Sequence, residues 1–184
     1  PSFKDLLGTG AQWGINIRYA EQPSPDGLAQ AFIIGDSFIG QDNVCLILGD
    51  NIFYADNLAK KLQRVSLQNN GATVFGYYVS NPKDYGVVDL DDGGNAISIV
   101  EKPKPHKAKS NLGVVGRFIL DPNIFKILKK TKPGHGNEIQ LTDAINELAS
   151  SKNVLAYEFD GTRYDCGSKL GFLKATLSYA KDHP

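Results

Sequence analysis

The sequence carries no excess charge of either sign. Lys and Arg total 20, as do Asp and Glu, so nothing favours a nucleic acid polymer or an anionic membrane as partner. No apolar stretch approaches the ~20 residues of a membrane span, and no signal peptide opens the sequence. Only two cysteines occur, Cys45 and Cys166, too few for a disulfide framework and outside any Cys-x-x-Cys pair. A reducing cytoplasm is therefore the expected compartment. His106, His135 and His183 share no metal-ligand spacing and are expected at the solvent. There is no G-x-S-x-G elbow, and Cys45 falls in an expected buried strand, a poor setting for a nucleophile. GTGAQWG (8–14) is glycine-rich but has neither G-x-G-x-x-G spacing nor a Gly-Lys-Ser/Thr ending. No internal repeat is present.

What the 184 residues do contain is an alternation, most simply accommodated in one domain with a real core. INIRYA (15–20) reads as a strand and GLAQAFIIGDSF (27–38) as a helix. NVCLIL (43–48) is a continuous apolar run, as in a strand covered on both faces. A helix is expected from Asp56 to Gln68, with Leu58, Leu62 and Val65 on one face and Asn69-Asn70-Gly71 stopping it. ATVFGYYV (72–79), GVVDL (86–90), AISIVE (96–101) and LGVVGRFIL (112–120) are expected strands, with a hairpin turn at Asp91-Asp92-Gly93-Gly94. Further helices are expected after the Asp121-Pro122 cap, over 137–150, and over 168–182 behind Ser168; VLAYEF (154–159) reads as a strand. Strands alternating with helices predict an α/β sandwich with a mixed, mainly parallel sheet, to which 72–120 adds antiparallel strands. EKPKPHKAKS (101–110) is a basic, Pro-rich loop.

Ligands of such sheets bind beyond the strand ends, which draws attention to four stretches. Asp50, in LGDN, closes an apolar strand, and a carboxylate there costs several kcal/mol of desolvation unless something compensates it. Asp165, in RYDCGS, stands at a second strand-to-helix junction. The two could share a hard cation such as Mg²⁺, which takes one or two carboxylates plus phosphate oxygens; equally, each could cap a turn or helix. QPSPDGLAQA (22–31) is a Pro-stiffened turn into a helix, either an anion or base-edge site or an ordinary turn. VEKP (100–103) places Glu101 and Lys102 at a strand end, suited to a sugar hydroxyl and a phosphate, or simply solvated.

Together these stretches resemble the sugar-nucleotidyltransferase superfamily along the whole chain. LLGTGAQWGINIRYAEQPSPDGLAQAFIIG, LGDNIFY, DYGVV and EKP are similar to glucose-1-phosphate thymidylyltransferases. From about residue 110, SNLGVVGRFILDPNIF, TKPGHGNEIQLTDAINELA and YDCGSKLGFLKA look more like UTP–glucose-1-phosphate uridylyltransferases. The resemblance implies a Rossmann-like three-layer sandwich of the nucleotide-diphospho-sugar transferase type. It implies Mg²⁺ held by Asp50 and Asp165, base contacts at Gln22, Pro25 and Gly27, and sugar and phosphate contacts at Gly86, Glu101 and Lys102. The implied reaction joins dTTP or UTP to glucose 1-phosphate with release of pyrophosphate, Asp50, Lys102 and Asp165 being the catalytic residues. The family's G-G-x-G-T-R-type loop, which cradles the triphosphate, has no match here. By that comparison the domain, residues 1–184, is N-terminally truncated by roughly sixty residues, including the strand beside CLILGD. An unpartnered edge there leads to the expectation of a homodimer or a sheet repaired by INIRYA.

Overall fold

A computed structural model of the chain describes residues 2–92, 96–134, 137–151 and 153–182. Its elements, in order, are α1 (Ser2–Leu7), α2 (Leu28–Ile39), β1 (Val44–Ile47), β2 (Asn51–Tyr54), α3 (Leu58–Gln68), β3 (Gly71–Tyr78), β4 (Gly86–Leu90), β5 (Ala96–Glu101), β6 (Leu112–Leu120), α4 (Asn123–Leu128), α5 (Leu141–Ala149), β7 (Asn153–Glu158), β8 (Thr162–Asp165) and α6 (Lys169–Asp182). The turn expected at 91–94 lies partly outside the described residues, as do His135 and His183; His106 is exposed, as expected.

β6 is the spine of a six-stranded sheet ordered β5-β4-β6-β3-β7, with β1 also on β6. One edge of β6 pairs β3 throughout. The other pairs β4 at Gly113 and then β1 over Arg117–Leu120. Gly116, at φ 35°, marks the changeover, and its carbonyl accepts the Leu48 N–H at 2.9 Å. The sheet is mixed, but the expectation that it is mainly parallel fails: only β3–β7 is a parallel pair among the described residues. β1, β3, β4 and β7 do run one way. β6 runs against them and stands between β3 and both β1 and β4, which makes nearly every contact antiparallel.

Alternation along β6 splits the interior in two. Leu112, Val114, Phe118 and Leu120 meet α2, α4 and α5 through Phe32, Ile124, Phe125, Ile145 and Leu148. Val115 and Ile119 face the other way, toward Val65 of α3, Phe53 of β2 and Phe159. Fully burying each such side chain stabilises by roughly 1.5–3 kcal/mol. Three layers result. Arg117 shares the second face, 7% exposed, its guanidinium 4.4 Å from the Phe53 ring centre and its Nε and Nη1 without hydrogen-bond partners among the described residues.

Two expected features differ. INIRYA is not a strand: residues 15–20 have no regular structure, and the Ile17 N–H bonds back to Thr9 at 2.8 Å instead of joining a sheet. β1 is not covered on both faces. Val44 and Leu46 pack on the first core, whereas Cys45 is exposed and Ile47 is 56% exposed. α3 and the β2 segment cover β3 and β6 but stop short of β1, whose outer edge pairs with no strand among the described residues. Cys45 is therefore not a buried thiol.

The helix signals hold where a side chain closes the first turn. Asp121 Oδ1 accepts the Asn123 N–H at 2.7 Å, and Ser168 Oγ accepts the Gly171 N–H at 3.0 Å. α5 begins at Leu141, not at Asn137: Asn137 takes a left-handed backbone, φ 61°, and residues 138–140 wall a cleft. Among the described residues no helix is long and apolar enough to cross a membrane.

Candidate active site

After β1 the chain turns through Gly49 and Asp50 straight into β2, which pairs with β8 as a two-stranded antiparallel ribbon. Asn51 stands opposite Asp165 in that register. Asp50, one residue earlier, is thus brought to the far end of β8, where its carbonyl accepts the Cys166 N–H at 2.7 Å. The two carboxylates converge on Gly167. A Cβ at that glycine would lie 2.8 Å from Asp50 Oδ2 and 3.2 Å from Asp165 Oδ1, so any side chain there would occupy the space between them. Their other oxygens are held: Asn51 Nδ2 donates to Asp50 Oδ1 at 2.7 Å, and Arg163 Nη2 to Asp165 Oδ2 at 2.8 Å. One oxygen from each faces the shared point.

This donor set suits a hard divalent cation that takes two carboxylates and completes its shell with water and phosphate oxygens. Among the described residues no group of three or more His, Cys, Asp or Glu side chains could hold a metal unaided. The pair needs a ligand's oxygens.

The carboxylates open into a cleft of about 290 Å³ between the ribbon, the β4–β5 end and residues 138–142. Five carboxylates line it, from Asp50, Asp84, Glu101, Glu138 and Asp165, against two cations, Lys102 and Arg163. A bare phosphate would meet a net repulsive field there, and a bound cation would reverse it locally. On the wall opposite the ribbon, Gly86 pairs with Glu101 across β4 and β5. Glu101 Oε2 accepts from Thr142 Oγ1 at 3.2 Å and would lie 3.1 Å from a Cβ at Gly86, so glycine is what lets the carboxylate seat there. Lys102 follows with φ 42°, a left-handed backbone uncommon for lysine, and its N–H donates to the Tyr85 carbonyl at 3.0 Å.

The structure thus gathers Asp50, Gly86, Glu101, Lys102 and Asp165 around one cleft. It does not bring Gln22, Pro25 and Gly27 into that lining; only the next residue, Leu28, reaches it. The 22–27 turn packs on the outer side of the 138–140 wall, where the Ile139 N–H donates to Asp26 O at 3.1 Å and Gln22 Nε2 to Gly27 O at 3.1 Å. Gly27, at φ 99°, lies so close that a Cβ would be 2.9 Å from the Ile139 carbonyl.

Sequence reasoning missed Arg163, Asn51, Tyr85 and Thr142. The Arg163 side chain, 7% exposed, donates through Nε to Asn51 Oδ1 at 2.6 Å and through Nη1 to Tyr85 Oη at 3.3 Å, besides its bond to Asp165. A signal existed: two residues apart on a strand, Arg163 and Asp165 share a face.

Residues 1–182 match the family described as nucleotidyl transferase. The glucose-1-phosphate thymidylyltransferase of Neisseria meningitidis is 50% identical over 160 residues, 87% of this chain and 54% of that enzyme. The UTP–glucose-1-phosphate uridylyltransferase of Staphylococcus epidermidis is 41% identical over 176 residues, 92% of this chain and 61% of that enzyme. Both matches run through residue 110. A UDP-glucose pyrophosphorylase complexed with UDP-glucose superposes with a TM-score of 0.84 at 34% identity, covering 99% of this chain and 73% of its own. UTP-bound UGPase from Acinetobacter baumannii gives 0.80 at 32%, covering 100% and 70%. The chain spans about half the length of the curated relatives it matches.

Proposed function

The chain belongs to the nucleotidyl transferase family, and from that premise we propose that its cleft serves the joining of dTTP or UTP to glucose 1-phosphate, with release of pyrophosphate. The observation that carries this reading is the convergence of Asp50 Oδ2 and Asp165 Oδ1 beside Gly167, across the cleft from Glu101 and Lys102. In the reaction an oxygen of the sugar phosphate attacks the nucleotide α-phosphorus in line, and the bond to the leaving pyrophosphate breaks. Asp50 and Asp165 would hold Mg²⁺, which when bound offsets phosphate charge. Lys102 meets the negative charge on the oxygens around the α-phosphorus under attack. Glu101 accepts hydrogen bonds from sugar hydroxyls, which Gly86 lets approach; the turn of Gln22, Pro25 and Gly27 lies outside the cleft lining, and base contacts there would need a nucleotide that reaches past the 138–140 wall. No side-chain nucleophile is required. Catalysis here is positioning and electrostatics, consistent with a cleft that offers neither a serine nor a cysteine beside a base.

Two measurements test this. Calorimetry with UDP-glucose and dTDP-glucose should show binding that depends on Mg²⁺ and vanishes with EDTA; equal heats with and without the ion would sink the reading. Pyrophosphate release from UTP or dTTP with glucose 1-phosphate should be no more than a trace. No G-G-x-G-T-R-type loop occurs in the 184 residues, and losing even one preorganised donor costs ~10²–10³ in rate. Turnover at an ordinary rate, on the order of 1–10³ s⁻¹, would show that this loop is dispensable. The same absence favours a second reading, in which this chain binds nucleotide-sugar without turning it over.

A further inference from the structure

We propose that Arg163 is the positioning residue of the carboxylate pair: its guanidinium fork fixes Asp165 directly and Asp50 through Asn51, so that each keeps one oxygen turned to the shared point at Gly167. The proposal rests on the reading of that pair as a cation site. Its basis is the connectivity of one nearly buried side chain. Nη2 holds Asp165 Oδ2, and Nε holds Asn51 Oδ1 at 2.6 Å. Asn51 Nδ2 in turn holds Asp50 Oδ1. Nη1 reaches Tyr85, whose carbonyl anchors Lys102 on the opposite wall, and the guanidinium also lies over the Tyr85 ring at 5.3 Å. Both carboxylates are thus held through a single fork, Asp165 Oδ1 accepting in addition the Gly167 N–H at 3.1 Å.

A lone positive charge would act in the opposite sense. Arg163 stands beside an expected cation, and on charge alone its presence weakens cation binding. Orientation and charge therefore predict opposite orders among variants. If Arg163 positions, the parent binds most tightly, Arg163→Met less so, and Arg163→Lys least, since lysine keeps the repulsion and loses the planar fork. If charge alone matters, Arg163→Met binds most tightly, and Arg163→Lys matches the parent.

The test is Mn²⁺ titrated into the chain with UDP-glucose present, the free ion being followed by electron paramagnetic resonance, with Asp165→Asn as reference. Mn²⁺ accepts the same oxygen ligands as Mg²⁺. Asp165→Asn is expected to weaken Mn²⁺ binding, and both Arg163 variants to weaken it threefold or more, in the stated order. If Asp165→Asn binds as the parent does, the cation-site reading fails and takes this proposal with it. If Asp165→Asn weakens binding while Arg163→Met equals or exceeds the parent, the positioning role alone is overturned. Should the Arg163 variants not fold, Asn51→Ala decides, because it cuts only the relay to Asp50. Weaker Mn²⁺ binding in Asn51→Ala supports the relay, and parental binding rejects it.

Discussion

Arg117 lies in the sheet with two guanidinium nitrogens unanswered among the described residues, and burial pulls its guanidinium below the usual arginine range. An unsatisfied buried donor costs ~1–3 kcal/mol, more when charged, whereas a well-packed apolar side chain of similar length costs nothing of the kind. Contact with the Phe53 face returns part of that. Arg117→Met is therefore expected to raise the stability of this chain by about 1 kcal/mol. The denaturant midpoint would move up at constant slope, and a midpoint that falls would mean that Arg117 is fully compensated. Single residues also decide what the sequence could reveal of the site. Asp50 was legible because it ends an apolar strand, and Asp165 because it stands just ahead of a helix capped by Ser168. Arg163 had only its shared face with Asp165 to mark it, since its other two partners, Asn51 and Tyr85, come from distant parts of the chain and leave no local pattern.

Between elements, Lys61 of α3 ties the helix to the turn after β7, its Nζ lying 2.8 and 2.9 Å from the two carboxylate oxygens of Asp160. The hydrogen bond from Lys61 lowers the Asp160 carboxyl, and the same bond raises the Lys61 ammonium. A depressed carboxyl contributes stability above its unfolded pKa and loses it as pH falls through the folded value. A raised ammonium contributes below its unfolded pKa and loses it as pH climbs through its folded value. The tether is thus present at neutral pH and lost at both extremes. Lys61→Ala should lower the denaturant midpoint slightly at pH 7, and the difference from the parent should close in acid and in high salt, because the pair is exposed. A gap of constant size would assign the effect to helix packing instead. Elements were readable in proportion to their self-sufficiency: β4, β5 and β6 have the bounds that their alternation implies. β2 and β8 went unseen, because four-residue strands are defined by each other's register and not by their own residues. INIRYA failed for the converse reason, having strand-forming residues but no neighbour to pair with.

Across the whole molecule, apolar surface is left open at Trp13, Ile15, Ile47, Ile52 and Tyr54, and along α6 at Leu170, Phe172, Leu173 and Leu177. With the outer edge of β1 unpaired among the described residues, association through sheet edges or exchanged elements is the expected outcome. Light scattering over a concentration series should show a dimer, and a single species of monomer mass at high concentration would exclude it. The edge has a finer consequence. Since Leu48 bonds to Gly116, antiparallel geometry aims the amides of Val44 and Leu46 at β6 and those of Cys45 and Ile47 outward. Deuterium should therefore enter this strand with a period of two, rapidly at Cys45 and Ile47 and slowly at the residues between, for as long as the edge stays bare.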